Sequence, residues 1–368
     1  MLHLLAATSM MDGVKHAINV ATEPGSFLTI SMIAFVAFLV GYRFFTKPAV
    51  AGTLGGLATL FFLISCLDPN FFLVVSKADN VPIVMMMFAV TFLLWVAFRQ
   101  AALNDVAIEE GRPLIESGSD DKVLVWPDLV YSELIALVLC TAFLVVWAIV
   151  LRAPLEQPAD PNVAPNPAKA PWYFLGLQEM LVYFDPWLAG VVLPGLIIVG
   201  LIAIPYIDTN PRGNGYYTFK QRPFAISTFL FGFIILWVLL IIFGTFLRGP
   251  NWNFFGPYEY WDVHRPAALL NTEFHDLFWL NIMGRELPQH FLVRELPGIV
   301  LVAAYFILGP LILKVLFFRK LSREMGFMRF SVMVMLLLVM LTMPIKMVLR
   351  WTLNLHYIVG ITEWFLNI

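Results

Sequence analysis

Eight long apolar stretches, separated by shorter polar segments, dominate the hydrophobic pattern of this 368-residue chain. A hydrocarbon core about 30 Å thick is crossed by about 20 apolar residues in a helix. The alternating pattern of barrel strands is absent, and helices satisfy their own backbone hydrogen bonds in lipid. We therefore predict an all-α, polytopic membrane protein with about eight transmembrane helices. The predicted spans are Phe27–Phe45, Val50–Val74, Val81–Phe98, Leu129–Leu151, Leu188–Tyr206, Phe224–Phe246, Leu296–Phe317 and Arg329–Met347.

The composition agrees with a chain that is dissolved in lipid. Hydrophobic residues make up 60% of the sequence and charged residues 13%, and the mean hydropathy is +0.82. The formal net charge is -2, and no segment concentrates basic residues as a nucleic-acid-binding face does. Membrane lipid is therefore an expected partner, and nucleic acid is not.

Polar segments divide the chain into five parts. Residues 99–128 are polar and acidic, which is typical of a cytoplasmic connector between two membrane modules. The predicted parts are an N-terminal module with three spans (1–98), the connector (99–128), a second module (129–250) containing the loop 152–187, an aromatic-rich loop (251–295), and two C-terminal spans with a tail (296–368).

The distribution of basic residues predicts an orientation. Eight crossings place both termini on one side of the membrane, and the short loops between them are rich in Lys and Arg. Short basic loops stay in the cytoplasm. We therefore expect a multi-pass protein of the bacterial cytoplasmic membrane whose termini and loop 152–187 face outward.

The loop 251–295 is dense in aromatic residues near its start. Amphipathic rings of this kind settle at the lipid headgroups, and a surface that docks an extramembrane partner is the alternative. The residues are Trp252, Phe254, Phe255, Tyr258, Tyr260 and Trp261.

Metal-binding patterns are missing from the sequence. Heme b within a bundle needs axial ligands, typically histidines on facing helices, yet all six histidines fall outside the predicted spans. No Cys-x-x-Cys-His motif occurs, and Cys66 and Cys140 are too few for an iron–sulfur or zinc site. If the protein takes part in electron transfer, its metals belong to other chains.

The run Pro171, Trp172, Tyr173 and Phe174 follows a proline-rich loop and opens an apolar helix. It resembles the quinol-site signature in the carboxy-terminal half of cytochrome b. In that family the usual form is Pro-Glu-Trp-Tyr, and the glutamate accepts a proton from the quinol. Pro171 stands in the glutamate's position here.

The resemblance extends beyond the signature. Trp126 and Pro127, a span, the segment Pro158–Pro161, the signature and a second span ending near Pro205 follow the family's order. A looser likeness continues to Pro250, and the last two spans are similar to extended bacterial chains in which cytochrome b is split. The first three spans match nothing in the family.

The resemblance implies a subunit of a quinol:cytochrome c oxidoreductase of the cytochrome bc type, not catalytic alone. The fourth to sixth spans would be arranged like the cytochrome b carboxy-terminal half and would form one wall of the outward quinol-oxidation site. Ubiquinone or menaquinone would be the substrate. The implied partners are a cytochrome b amino-terminal-half subunit with two b hemes, a Rieske iron–sulfur protein and a c-type cytochrome, in a dimeric complex.

The chemistry of quinol oxidation suggests residues for the site. An apolar, aromatic pocket suits the isoprenoid quinone, so we expect Pro171, Trp172, Tyr173 and Phe174 to bind it. The quinol must also lose protons to an acceptor within hydrogen-bond reach. Glu179 is the nearest carboxylate after the signature, so one hypothesis makes it the proton acceptor. In the other, Glu179 is a structural carboxylate and the proton leaves through a partner residue or water.

Two other functions compete with the redox subunit. A structural anchor or assembly subunit with a non-functional quinone pocket would explain why Pro171 replaces the signature glutamate. A transporter is suggested only by the eight spans and is opposed by the scarcity of charged residues inside them.

Overall fold

Helices make up most of the protein. The computed structural model describes residues 2–114, 116–118, 122–150, 158, 160–162, 166–213, 215–267, 270–361 and 366–368. The helices are α1 (Leu2–Ala21), α2 (Pro24–Val40), α3 (Tyr42–Phe45), α4 (Pro48–Ser65), α5 (Pro69–Val75), α6 (Val81–Glu109), α7 (Val125–Val150), α8 (Leu175–Met180), α9 (Leu188–Ile207), α10 (Pro223–Leu247), α11 (Phe291–Leu316) and α12 (Arg319–Leu353). A short helical segment covers Phe274–Asp276 and Leu277–Ile282, and the strands β1 (Gly360–Ile361) and β2 (Leu366–Asn367) pair antiparallel.

The prediction of an all-α, polytopic membrane protein is confirmed. Within the described residues, seven helices are long and apolar enough to cross a membrane. A further pair, Met11–Ala21 with α2, is bent by 80° and gives an eighth crossing if it is one span. The chain is therefore a multi-pass membrane protein.

The second predicted span, Val50–Val74, is two helices rather than one. α4 ends at Ser65, and α5 begins at Pro69. The carboxylate of Asp68 accepts hydrogen bonds from the backbone amides of Asn70 and Phe71 at 2.9 and 3.1 Å. This cap, followed by a proline at the first helical position, starts a new helix.

Other predicted spans differ from the structure at their ends. The last one begins earlier, at Arg319, and is broken at Gly326, whose φ of 75° suits a residue without a side chain. α6 continues the third span to Glu109, so the connector 99–128 begins as helix. Residues 115 and 119–121 of the connector, and 151–157, 159 and 163–165 of the proline-rich loop, lie outside the described residues.

Alternate loops meet at one end of the helical bundle, which we call the basic end, around the buried Asp105 near the end of α6. Its carboxylate accepts a hydrogen bond from the Tyr42 hydroxyl at 2.7 Å and from the backbone amides of Phe219 and Lys220, each at 3.1 Å. This one side chain therefore joins α3, α6 and the loop before α10.

The remaining loops meet at the other end, which we call the motif end because it carries Trp172, Tyr173 and Phe174. Tyr258 connects several elements there. Its hydroxyl forms a hydrogen bond with the Ser65 hydroxyl at 2.7 Å, and its backbone amide donates to the Asn19 side chain at 3.1 Å. The N-terminal helices are thus joined to the rest of the chain at both ends.

The main apolar core lies where α10 crosses α2, α8 and α12. Phe243 of α10 has no exposed surface, and its ring packs edge-on against Phe27 of α2 at 5.5 Å between centroids. Tyr183, which follows α8, and Met347 of α12 are buried in the same cluster. This core holds α8 against the last turns of α10.

The helix α7 is the most exposed of the long helices, because every residue from Tyr131 to Val150 is exposed. Ile149 and Val150 are exposed, and so is Glu133 near the start of the helix. In a membrane, such a helix contacts lipid or the spans of another chain.

We predict that Asp105→Ala destabilises the protein by about 1–3 kcal/mol, because the buried Tyr42 hydroxyl loses its acceptor and two part-buried backbone amides lose theirs. The thermal unfolding temperature in detergent measures this effect. Glu110→Ala is the control, since Glu110 pairs with the exposed Arg112 and such pairs contribute about 0–1 kcal/mol. Equal unfolding temperatures for the two variants would contradict the role of Asp105.

Candidate functional site at the motif end

The segment Pro171–Phe174 forms a tight turn that leads into α8. Pro171 has φ -51° and precedes a single 3₁₀ turn, Trp172–Phe174, which closes with a hydrogen bond from the Phe174 amide to the Pro171 carbonyl at 2.8 Å. Proline has its φ fixed and lacks an amide hydrogen, so it suits the position before a helical turn. The sequence thus places three aromatic residues where the loop becomes helix.

The three aromatic rings form one half-exposed surface. Trp172 is 36% exposed, and Tyr173 and Phe174 are each 49% exposed. The Tyr173 ring lies 5.7 Å from that of Trp172 and 4.6 Å from that of Phe174. This surface is one apolar wall, and a second wall from another molecule would enclose a ligand against it.

The backbone before the rings is held by Gln178 of α8. The Gln178 side chain accepts a hydrogen bond from the Ala170 amide at 2.7 Å and donates one to the Ala168 carbonyl at 2.8 Å. Behind the rings, a side chain on Gly244 of α10 would lie 3.2 Å from the Leu175 carbonyl oxygen. Glycine at 244 therefore lets α8 approach α10 closely, and both contacts keep the rings in place.

Glu179 takes part in a buried ion pair with Arg248. Arg248 donates from Nε at 2.9 Å and from Nη2 at 2.7 Å to the two carboxylate oxygens. The Tyr183 hydroxyl also donates to Glu179, at 2.8 Å, and no part of the Glu179 side chain is exposed. Burial acts to lower the pKa of Arg248, but the neighbouring carboxylate outweighs it and the pKa is raised. Arg248 therefore keeps its positive charge.

Arg248 also organises the aromatic loop that follows α10. Its guanidinium lies 3.6 Å from the ring centroid of Phe254 and donates to the Trp252 carbonyl at 2.6 Å. Phe255 is buried, whereas Tyr260 is 72% exposed. Several of these aromatic residues therefore pack within the chain. The sequence had suggested only a position at the lipid headgroups or a docking surface for them.

Sequence reasoning singled out Glu179 but missed Arg248 and Lys169. Arg248 is 69 residues away in the chain and lies just after a span, where a charge normally faces lipid headgroups. Lys169 precedes the aromatic turn, and its Nζ donates to the Thr245 carbonyl at 2.8 Å. The role of Glu179 as proton acceptor and the quinone-binding role of Pro171–Phe174 stay predictions.

A second cluster of charged groups lies at the start of α11. Glu295 is fully buried, accepts from Arg294 Nε and from the Gly360 amide at 2.9 and 3.0 Å, and lies 2.9 Å from His275 Nδ1. The cluster attaches the C-terminal strand β1 to α11. In the described part of the chain, no group of three or more His, Cys, Asp or Glu is arranged to hold a metal ion.

Cavities with charged linings lie at the basic end. One of about 560 Å³ is lined by Arg319, Lys320, Arg323 and Glu324. Another, of about 220 Å³, is lined by residues that include Asp105 and Lys220. Neither touches the aromatic turn, whose three rings are 36–49% exposed.

Comparison with known proteins supports the resemblance seen in the sequence. Residues 158–258 match the family model described as cytochrome b(C-terminal)/b6/petD. The match includes the aromatic turn, Glu179 and Arg248, and it stops before the last two spans. Over these residues the chain is cytochrome b C-terminal-like. No solved structure matches the chain.

We predict that Glu179→Gln destabilises the protein by about 3–5 kcal/mol, because Arg248 is then buried without its carboxylate. The double variant Glu179→Met with Arg248→Met should recover most of this loss, since no charge stays buried. Thermal unfolding in detergent compares the variants. Arg112→Ala is the control, because Arg112 is 61% exposed and pairs with the exposed Glu110.

The opposite pattern would support Glu179 as the proton acceptor instead. In that pattern, Glu179→Gln unfolds at the temperature of the parent protein, while quinol oxidation by the assembled complex is lost.

Proposed function

We propose that this chain is a membrane subunit of a respiratory or photosynthetic quinol:cytochrome c oxidoreductase and forms part of its outward-facing quinol-oxidation site. The observation that carries the proposal is the aromatic turn Trp172–Phe174, which lies in the cytochrome b C-terminal-like segment and presents three half-exposed rings. Quinones are flat and apolar apart from two oxygens, so such a surface suits them. Ubiquinone and menaquinone both have this form.

In the proposed complex, the redox centres belong to partner chains. A cytochrome b amino-terminal-half subunit with two b hemes, a Rieske iron–sulfur protein and a c-type cytochrome would accept the electrons. The exposed helix α7 supports a neighbouring membrane subunit, because every residue from Tyr131 to Val150 is exposed in the chain alone. Residues 129–250 would contain the quinol module, and the complex would be dimeric.

The sequence leaves two roles open for Glu179, proton acceptor and structural carboxylate. We propose the structural role. Both carboxylate oxygens accept hydrogen bonds from Arg248, and one also accepts from Tyr183. A base must be within hydrogen-bond reach of the quinol hydroxyl, and the Glu179 side chain has no exposed surface. Glu179 would instead fix α8 against α10, and another group would accept the proton.

A structural anchor or assembly subunit is the second candidate function. Pro171 in the position of the family's glutamate favours it, because that replacement removes the usual proton acceptor. In this case the aromatic turn would pack against a partner subunit and exclude quinol.

Purification of the complex in detergent tests the main proposal. We expect copurifying chains with b-type heme absorbance, and quinol-dependent reduction of cytochrome c that inhibitors of the outward quinol site block. This chain alone should show no heme absorbance. A complex that contains the hemes but does not oxidise quinol would favour the anchor function.

We predict that Trp172→Ala raises the KM for quinol about tenfold, because a lost aromatic contact worth about 1.4 kcal/mol corresponds to a factor of ten in binding. Steady-state quinol oxidation by the purified complex measures this. Trp126→Ala is the matched control, since Trp126 is 67% exposed but lies at the start of α7, at the basic end. Equal KM values for the two variants would contradict quinol contact at Trp172.

For localisation, we propose the bacterial cytoplasmic membrane, with the termini and the aromatic turn outside. In a background lacking Cys66 and Cys140, Asn162→Cys should react with a membrane-impermeant thiol reagent in intact cells. Lys320→Cys, at a side chain that is 93% exposed, should react only after permeabilisation. Labelling of Lys320→Cys alone in intact cells would reverse the orientation.

A further inference from the structure

Lys169 is held beside the aromatic turn by contacts with three parts of the chain. Its Nζ donates to the Thr245 carbonyl at 2.8 Å and lies 4.8 Å from the ring centroid of Trp261. Gln178 fixes the backbone on both sides of it, at Ala168 and Ala170. The position of this ammonium group is therefore determined by α8, by the end of α10 and by the aromatic loop.

The ammonium group lies close to the residues that carry the aromatic rings. Its acceptor, Thr245, follows Gly244, the residue whose Cα approaches the Leu175 carbonyl. Leu175 directly follows Phe174 in the chain. Lys169 itself precedes Pro171 by two residues, so its backbone adjoins the aromatic turn.

Charge compensation around Lys169 is incomplete. Among the described residues no carboxylate forms an ion pair with it, and the charged groups that act on it are Lys77, Glu179 and Arg248. Glu179 is engaged by Arg248. Burial, followed by repulsion from Lys77, lowers the pKa of Lys169 to about 7. At neutral pH a substantial fraction of this side chain is thus a neutral amine with a free lone pair.

Two unsatisfied polar atoms belong to the residues that Lys169 contacts. The Thr245 hydroxyl and the indole nitrogen of Trp261 are buried, and neither has a hydrogen-bond partner in the described structure. Buried polar atoms normally have partners, so such atoms need an explanation. A bound hydroxyl group would supply one, because it can accept a hydrogen bond from the indole and donate one to an amine.

We propose that Lys169 is the catalytic residue that accepts a proton from the quinol hydroxyl, in place of the carboxylate whose position Pro171 occupies. This inference rests on the proposed function. The sequence suggested Glu179 as the proton acceptor, or else a partner residue or water. Lys169 is a different acceptor, and it belongs to this chain.

The lone pair of the neutral Lys169 amine takes the proton, the quinol O–H bond breaks, and its electron pair stays on the oxygen. The two electrons lost by the quinol would go to an oxidised iron–sulfur cluster and an oxidised heme of partner chains. The Lys169 ammonium then gives its proton to water at the motif end, and the regenerated amine accepts the proton of the second hydroxyl.

A purely structural role is the competing explanation, because Lys169 also satisfies a carbonyl in the last turn of α10, where helices leave acceptors unpaired and favour cations. Lys169→Arg separates the two roles. Arginine keeps the positive charge and the donors, but it does not deprotonate in proteins. A capping residue tolerates this change, whereas a proton acceptor does not.

The main experiment measures quinol-dependent cytochrome c reduction by the assembled complex as a function of pH. Activity of the parent complex should rise as the pH passes through about 7, where Lys169 becomes neutral. Lys169→Arg and Lys169→Met should each lower turnover about 100-fold or more and remove this dependence. Heme content of each purified variant checks assembly.

Lys77→Gln is the matched control. Lys77 repels the Lys169 ammonium, so its removal should keep turnover while moving the rise in activity to higher pH. If the parent complex oxidises quinol and Lys169→Arg has the parent's turnover and pH profile, the role of Lys169 is overturned and the proposed function stands. If the parent complex does not oxidise quinol, the proposed function fails as well.

A second measurement does not depend on turnover or on a folded variant. The rate at which an amine-specific acetylating reagent modifies Lys169 in the parent complex, followed by mass spectrometry, reports its neutral fraction. We expect the rate to rise at a pH well below that for the exposed Lys320, and a bound quinone analogue to protect Lys169. A pH profile equal to that of Lys320, or no protection, would overturn the proposal.

Discussion

The structure of the motif end depends on burial of the charge pair between Arg248 and Glu179. A charge removed from water must find a partner with good geometry, and this pair has two parallel hydrogen bonds and a third from Tyr183. Glu179 lies on α8 and Arg248 directly follows α10, so the pair fixes the short helix against the long one. The aromatic turn immediately precedes α8, so the ion pair also fixes the position of the turn.

Polar contacts at the two ends of the bundle have a comparable role for the remaining helices. Lipid tails are as apolar as leucine, so the hydrophobic effect contributes little to the choice between one packing of spans and another. Asp105 supplies such a contact at the basic end, and Tyr258 supplies one at the motif end. Both connect the N-terminal helices with the cytochrome b C-terminal-like segment. The unmatched first module is therefore an integral part of the structure.

Much of the fold could be predicted from sequence because spans are local features. An apolar run of sufficient length identifies a helix without knowledge of its neighbours, and within the described residues each predicted span coincides with one or two helices. The cap at Asp68 and Pro69 is also a local signal, but the apolar residues on both sides of it led to one continuous predicted span. The pairing of Glu179 with Arg248 is not local, and neither is the contact of Lys169 with Thr245. Sequence therefore identified the aromatic turn of the candidate site but not the charged groups behind it.

The central claim is that the aromatic turn contacts a quinone in the assembled complex. The most direct measurement is photo-crosslinking of the purified complex with an azido-quinone, followed by mass spectrometry of the labelled peptides. We expect label on a peptide of this chain that contains Trp172–Phe174, and competition by unmodified quinone. Label confined to partner chains, or found in this chain only at the basic end near Arg319, would contradict it.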